Sequence, residues 1–387
     1  MVSDRPLTLL LVANQGWNLV NYRTGLITAL RRAGFRIVAA APSEADSERR
    51  LRELGCEFRP IPLAPKSLSP FDSLRTVFAL AAVARHEQPA AILTWTIKAN
   101  LWGSLVGRLA GIPVIANVSG LGIAHSGKGW LRRVAEPLYR ICLKAAATVF
   151  FQNESDFETM VTARLVRPQQ ARLLPGSGVD LEWFAANGRE RPLERRFVML
   201  ARLLRSKGVE QFVEAARRIR ARRGDLRFAL LGFTDVANVE AITREQVDSW
   251  AAEGIVEYFE PVSDVRPILE TAEAVVLPSY YREGLSRALL EGASMGRPIV
   301  TTDHPGCREA IEPGVTGFLC QPRDVDSLEQ AILRVAGLAG AEWAAMSAAA
   351  RERAMRLFSQ DIVIERYLEA LRDAGVATSN RSRSGQS

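Results

Sequence analysis

Short apolar runs alternating with helix-patterned stretches, through two successive halves, constrain this chain more than any other feature. Leu7 to Val12 is a continuous apolar run, suited to a strand buried on both faces of a parallel sheet. Asn14-Gln15-Gly16 turns the chain, and Gly16 can let backbone approach a ligand closely. A helix is predicted over about 21–32, ending at Gly34 as its cap, before a second strand over 35–41. The rhythm continues with a helix over 44–54, a strand at Phe58, a helix over 71–85, a strand over 91–95 and a helix over 99–110 that stops at Gly111. A strand over 114–117 leads into the glycine loop Val118-Ser119-Gly120-Leu121-Gly122, followed by helix 130–144, strand 148–151, helix 153–162 and strand 172–174. Strand–helix alternation of this kind predicts an α/β doubly wound parallel sheet, because parallel strands need long crossovers.

The pattern then starts again. Pro175-Gly176-Ser177-Gly178 marks a boundary, followed by strand 197–201, helix 208–223, strand 228–231, helix 239–252, strand 255–259, helix 265–269 and strand 274–277. At 387 residues the chain exceeds one ordinary core. The expected organisation is a Rossmann-like domain over 1–175, a second over 176–356, a C-terminal helix over 357–374 and a disordered polar tail over 375–387. Facing domains of this type would enclose a cleft at the carboxyl edges of their strands.

Composition narrows the function classes. The start, MVSDRPLTLLLVAN, carries an acid and a proline and lacks a signal-peptide pattern, and no apolar segment reaches bilayer length. Cys56, Cys142, Cys307 and Cys320 show no close spacing, which predicts free thiols; with three scattered histidines, a protein-built zinc site is not expected. The net charge of +7 is spread among acids over most of the length. Two concentrations stand out: Arg217, Arg218, Arg220, Arg222, Arg223 and Arg227, and the segment holding Trp130, Arg132, Arg133, Arg140 and Lys144. The second has the form of a basic, aromatic helix that lies on an anionic membrane surface, and equally of a solvated helix face.

The stretch from Pro278 to Leu319 carries the chemistry. A strand closed by Pro278 is followed by Glu283-Gly284, with Leu285, Ala288, Leu289, Gly292 and Ala293 at helical spacing. A helix starting at Gly284 would aim free N–H groups out of the carboxyl edge of the sheet, an anion site. Glu291 would then stand eight residues after Glu283, roughly 12 Å along the axis. Arg202 and Lys207, in the segment ARLLRSKG between a strand and a helix, would add positive charge for a diphosphate at the same edge. The turn His304-Pro305-Gly306 and a third acid, Glu309, follow. Asp324-Val325-Asp326 has the form of a metal-binding pair but opens a helix, where Asp is a favoured cap, so no obligate metal or other cofactor is expected. His125, in a glycine-rich loop, is a candidate base or acceptor for substrate hydroxyls. There is no G-x-S-x-G elbow, Walker loop or G-x-G-x-x-G after the first strand, which argues against serine hydrolases, P-loop NTPases and ordinary dinucleotide oxidoreductases.

The run PSYYREGLSRALLEGASMGRPIVTTDHPGCREAIEPGVTGFL closely resembles the donor-binding signature of the group 1 retaining glycosyltransferases of GT-B fold, whose E-x7-E pair falls on Glu283 and Glu291. ARLLRSKG resembles that family's diphosphate-binding segment, landing on Arg202 and Lys207. NQGWNLVNYRTGLITAL and the VSGLG loop resemble the branch that glycosylates undecaprenyl-diphosphate-linked saccharides in capsule, O-antigen and glycoprotein assembly. The resemblance implies two facing Rossmann-like domains, with Glu291 on the nucleotide ribose and Glu283 on the donor sugar. It places the backbone of Gly284, Leu285 and Ser286 on the diphosphate and Gly16 beside the donor. Asn14, Trp17, Ser119 and Gly120 fall on the acceptor side, and His125 is carried over as a catalytic candidate with Glu283, Arg202 and Lys207. Ser286 stands where many relatives have proline, and Gly292 where many have alanine.

The implied reaction moves a hexosyl or N-acetylhexosaminyl unit from a nucleotide diphosphate sugar, UDP-linked, to a lipid-linked saccharide with retention. It would take place in the cytoplasm, at the anionic inner face of the plasma membrane, in bacterial surface polysaccharide or glycan biosynthesis. The alternatives are a GT-B nucleotide-sugar epimerase or hydrolase that needs no lipid acceptor, and a basic nucleic-acid binder. The last has no recognition motif in the sequence, so no nucleic-acid partner is expected.

Overall fold

A computed structural model describes residues 6–64, 67, 69–121, 129–186, 190–236 and 238–376, except for the side chains of 129–135. The chain divides into two compact units, Met1–Ser177 with Asp361–Ser387, and Gly178–Gln360.

The first unit is built on β1 (Thr8–Val12), β2 (Arg36–Ala41), β3 (Glu57–Pro60), β4 (Ala91–Trp95), β5 (Val114–Val118), β6 (Thr148–Phe151) and β7 (Ala171–Leu173). Among the described residues they form one parallel sheet in the order β3-β2-β1-β4-β5-β6-β7, so the winding reverses between β1 and β4. Alternate residues serve opposite faces. Leu9, Leu11, Ile37 and Leu93 enter one core layer, while Leu10, Val12, Val38 and Ile92 enter the other with Leu80 and Ala84 of the helix Pro70–Glu87. Burial on both sides is why these strands read as unbroken apolar runs.

The single helix expected over 21–32 is instead two, Gly16–Tyr22 and Thr24–Arg32. The chain leaves helical geometry at Arg23, whose buried guanidinium lies 5.3 Å from the centroid of the Trp95 ring. The last helix, Gln360–Asp373, buries Val363, Tyr367, Ala370 and Leu371 in the core of this first unit. The Tyr367 hydroxyl accepts hydrogen bonds from Trp95 Nε1 and Asn117 Nδ2, each at 2.9 Å.

The second unit holds β8 (Arg196–Leu200), β9 (Arg227–Leu231), β10 (Glu257–Phe259), β11 (Ala272–Leu277), β12 (Ile299–Thr302) and β13 (Gly317–Cys320). Its described strands are again parallel, ordered β10-β9-β8-β11-β12-β13, which puts the reversal between β8 and β11. The helix Val209–Arg220 buries Val209, Phe212, Val213, Ala216 and Ile219 at helical spacing. The helix expected over 239–252 begins at Arg244, because Thr243 and Gln246 form a reciprocal capping box there. The residues before it serve the β8 loop: Ile242 N–H donates to Leu203 O at 2.8 Å, and Glu240 O accepts from Arg205 N–H at 2.9 Å.

All four cysteines are buried free thiols. Most of the arginine cluster is matched charge for charge. Arg217 pairs with Glu214 and Glu253, Arg218 with Asp326, Arg222 with Glu329, Arg223 with Asp225 and Arg227 with Glu257.

Candidate functional site

The carboxyl ends of β8 and β11 lie side by side in the second unit, and two loops leave there. The β8 loop forms a short 3-10 turn at Arg205–Lys207 and ends at Gly208, with φ of 81°. The β11 loop is stitched to it: Tyr280 and Tyr281 N–H donate to Ser206 O at 3.0 and 3.1 Å, and Ser279 Oγ donates to the same carbonyl at 3.3 Å. A Cβ at position 208 would stand 2.2 Å from Pro278 O, so only glycine allows this approach and this backbone conformation.

That stitching brings together two of the residues singled out in the sequence. Lys207 Nζ donates to Glu283 Oε1, and Ser279 Oγ donates to the same oxygen at 3.2 Å. The Lys207 and Glu283 side chains are only 11% and 13% exposed, and the ammonium lies 5.6 Å from the centroid of the Tyr281 ring. Thr302 Oγ1, at the end of β12, donates to Ser279 O and fixes the loop from the other side. Behind Glu283 passes the turn at Gly306, where a Cβ would come within 2.5 Å of both Glu283 Cβ and Glu283 O. Glu309 is part of this scaffold: its carboxylate accepts Gly306 N–H at 2.8 Å.

Arg202 is exposed and makes no ion pair among the described residues. Its charge acts on the Tyr281 phenol, which burial and then Glu283 push above its ordinary pKa while Arg202 pulls it down. Burial, followed by the Glu283 charge, pushes the Cys307 thiol up to about 12, so it is protonated and unreactive at neutral pH. Burial holds His304 below its ordinary pKa, leaving a neutral ring that half-lines the same edge.

The helix expected to begin at Gly284 spans Arg287–Ser294. Glu283, Gly284 and Leu285 therefore lie in the loop before it, and the 12 Å axial separation of the two acids does not hold. Ser286 occupies the N-cap position and is buried, and its N–H donates to Gly306 O at 3.2 Å rather than pointing out of the sheet. The turn therefore absorbs one of the three expected backbone donors. Glu291 sits inside the helix with Arg287 Nε at 2.7 Å, one turn away. Burial raises its carboxyl above the ordinary range, against the pull of Arg287. Gly292 is explained by packing: a Cβ there would stand 2.6 Å from Val275 Cγ2 and 3.3 Å from Ile299 Cδ1. The helix lies too close to β11 and β12 for alanine.

Asp324 caps the helix Val325–Gly337 by accepting Ser327 N–H at 2.9 Å, and Asp326 pairs with Arg218 at 2.6 Å. Both aspartates of the D-x-D therefore have structural partners.

In the first unit, Asn14 and Trp17 follow β1, and Ser119 and Gly120 follow β5, so all four stand at the carboxyl edge of that sheet. Gly16 is buried, and a Cβ there would meet Ser47 Cβ at 2.7 Å; its smallness serves helix packing rather than ligand approach. Ser119 Oγ donates to Asn117 Oδ1 at 3.1 Å, and Gln152 Nε2 donates to the same oxygen at 3.0 Å. Leu121 N–H, donating to Asp156 Oδ2 at 3.2 Å, anchors the loop. His125 and the side chains of Trp130, Arg132 and Arg133 lie outside the described residues; Arg140 is exposed and Lys144 partly so.

Sequence reasoning missed Ser279, Tyr281 and Thr302. A Tyr-Tyr pair at 280–281, just past Pro278-Ser279 and the end of β11, was the available signal, since aromatic rings at a strand's carboxyl end have little core to enter.

Comparison with known proteins places this geometry. Residues 194–337 match the family described as glycosyl transferases group 1, and residues 19–176 match the glycosyl transferase 4-like domain. The N,N'-diacetylbacillosaminyl-diphospho-undecaprenol alpha-1,3-N-acetylgalactosaminyltransferase of Campylobacter jejuni is 28% identical over 83% of this chain and 87% of its own length. The UDP-Gal:alpha-D-GlcNAc-diphosphoundecaprenol alpha-1,3-galactosyltransferase of Escherichia coli is 25% identical over 71% of this chain and 73% of its own. Among solved structures, a glycosyltransferase of Rickettsia africae superposes with a TM-score of 0.78 at 18% identity, covering 96% of this chain and 100% of that one. Anabaena HepE, solved with UDP-glucose, superposes at 0.76 and 17% identity over 94% of this chain and 99% of its own. These neighbours share the GT-B fold expected from the sequence. The chain belongs to the group 1 glycosyl transferases, and is an enzyme of that family.

Proposed function

We propose that the protein transfers a hexosyl or N-acetylhexosaminyl unit from a UDP-sugar to a lipid-linked saccharide, with retention, in surface polysaccharide or glycan assembly. The observation that carries the reading is the cluster at the β8–β11 reversal, where Lys207 is bonded to Glu283 and the charges of Arg202 and Glu283 both act on Tyr281, at the carboxyl edge of one sheet. A departing nucleoside diphosphate gathers negative charge as the glycosidic bond breaks. Two cations at that edge, Lys207 already held in place, stabilise the charge, which is the largest lever such a site has. They do the work that a divalent metal does elsewhere, so turnover is expected to survive chelation.

Glu283, held by Lys207 and Ser279 Oγ, is oriented to accept hydrogen bonds from donor-sugar hydroxyls. Glu291 takes the ribose hydroxyls. Ordered binding of both ends of the donor aligns the reacting carbon, which is where proximity contributes most. The names of the Campylobacter and Escherichia relatives, both acting on diphospho-undecaprenol saccharides, support the acceptor class. Asn14, Trp17, Ser119, Gly120 and His125 are proposed for the acceptor side. No described helix is long and apolar enough to cross a membrane; the enzyme is proposed to work at the anionic inner leaflet because that is where a lipid-linked acceptor is embedded.

Arg202→Ala and Glu283→Ala test the assignment in one assay of UDP release. Each is expected to lower kcat about 100- to 1,000-fold, the loss seen when one preorganised charge-stabilising group is removed. Turnover retained in the double variant would sink it.

A further inference from the structure

We propose that the outer face of three neighbouring helices in the first unit, Pro70–Glu87, Ile97–Ala110 and Gly129–Leu143, lies directly on an anionic lipid bilayer. The inference rests on the acceptor being lipid-linked. The three helices pack side by side over one face of the sheet and share one core layer. On the side away from that core, Phe71, Leu74 and Phe78 are 67%, 55% and 71% exposed. They stand at i, i+3 and i+7, one apolar stripe on a helix whose other side buries Thr76, Leu80 and Ala84. Leu109 and Ile141, near the ends of the other two helices, are 76% and 53% exposed. Three large apolar side chains in a row cost solubility unless something apolar covers them.

The charges around them say what does. Arg75 and Arg85 continue the stripe at i+4 and i+14 from Phe71, and both are exposed. Between the ends of the second and third helices an open hollow of about 820 Å³ is lined by Arg108, Arg140, Lys144 and Arg167, with Ile112 and Ile141. None of Arg75, Arg85, Arg108, Arg140 or Lys144 makes an ion pair among the described residues. The arginines of the second unit are mostly paired with carboxylates, and Ile97–Ala110 contains no acid at all. Glu87, on the first helix, is buried and committed to Arg36 and Arg59. Aromatic and aliphatic groups flanked by unpaired cations fit the interface of a bilayer whose headgroups are phosphates. A protein partner of matching acidity, or a second copy of this chain, is the competing occupant.

Sedimentation of the full chain with phosphatidylglycerol-containing vesicles, against pure phosphatidylcholine, is the test. The wild type is expected to pellet with the anionic vesicles only. Phe71→Ser/Leu74→Ser/Phe78→Ser, which alters exposed positions alone, is expected to lose at least tenfold in partitioning. Arg108→Glu/Arg140→Glu/Lys144→Glu is expected to lose more than a hundredfold, at about fivefold or more per cation removed. Both variants should turn over a short-chain, water-soluble acceptor like the wild type, yet fail with the same saccharide on a lipid embedded in vesicles. Vesicle binding that survives the apolar substitutions overturns the proposal. So does a wild-type dimer that those substitutions dissociate. If no variant, nor the wild type, uses any soluble acceptor while vesicle binding behaves as expected, the docking face stands and the transferase reading falls.

Discussion

Lys207 and Glu283 form the contact on which the donor site turns, and separating them has a calculable effect. Their side chains are 11% and 13% exposed, so both charges are largely desolvated. Removing one member of a buried pair costs about 3–5 kcal/mol; the residual water access here lowers that to about 2–3 kcal/mol. Lys207→Met removes the Lys207 ammonium from the Glu283 carboxylate while the Ser279 Oγ bond at 3.2 Å stays. Glu283→Gln leaves the ammonium against the Tyr281 ring. The double variant removes both charges, so it should be more stable than the sum of the single losses by at least about 1 kcal/mol. Hydrogen exchange of the β8 and β11 amides reports this free energy for the second unit alone, which a global melt of two units does not. Sugar transfer behaves differently: both single variants and the double should fall about 100-fold or more, because restoring neutrality does not restore the groups that meet the donor. Additive stabilities would show that the two side chains do not interact. A double variant that regained turnover would show that they serve only the fold.

Four further outcomes follow from the structure. Because burial raises the Glu291 carboxyl, ionising it costs more in the fold than in the unfolded chain. Its favourable contribution is present below the ordinary carboxylate pKa and is lost as pH rises through the raised value. Glu291→Gln should therefore match or exceed wild-type stability at pH 7, within about 1 kcal/mol, converge with it in acid, and still lose at least tenfold in kcat/KM. Gly208→Ala, with φ of 81° and Pro278 O only 2.2 Å from the new Cβ, should cost about 2–4 kcal/mol in urea unfolding. Gly111→Ala, equally left-handed at 68° but with no neighbour within 4 Å, should cost only about 1 kcal/mol. Tyr367→Phe strands the buried Trp95 Nε1 and Asn117 Nδ2 donors, and should lose about 2–4 kcal/mol in the first unit by hydrogen exchange.

The sheets were legible because their strands are buried on both faces: runs such as Leu9 to Val12 or Val275 to Leu277 have no polar residue to confuse the reading. Helix starts were less so. Leu285 fits the periodicity of the helix behind it, yet its burial comes from a loop, and the cap position falls at Ser286. At the break, buried Arg23 meets Trp95, a residue from another element that no local pattern announces. The same applies to the site. Its acids and cations could be picked out, but the direct bond from Lys207 to Glu283 joins residues 76 positions apart, through a register that only the β8–β11 pairing sets. Gly16 and Gly292 illustrate the converse, since each looks permissive in sequence and is in fact demanded by a neighbouring side chain, Ser47 or Val275.

The most direct test of the account is the fate of a radiolabelled sugar. The purified chain would be supplied with UDP-N-acetylglucosamine, UDP-N-acetylgalactosamine or UDP-glucose, with and without a diphosphate-linked lipid saccharide. UDP release that requires the saccharide, with the label recovered on the lipid in the same anomeric configuration, is the predicted result. Label released as free sugar, or as an epimerised nucleotide sugar, at the same rate without acceptor would contradict it.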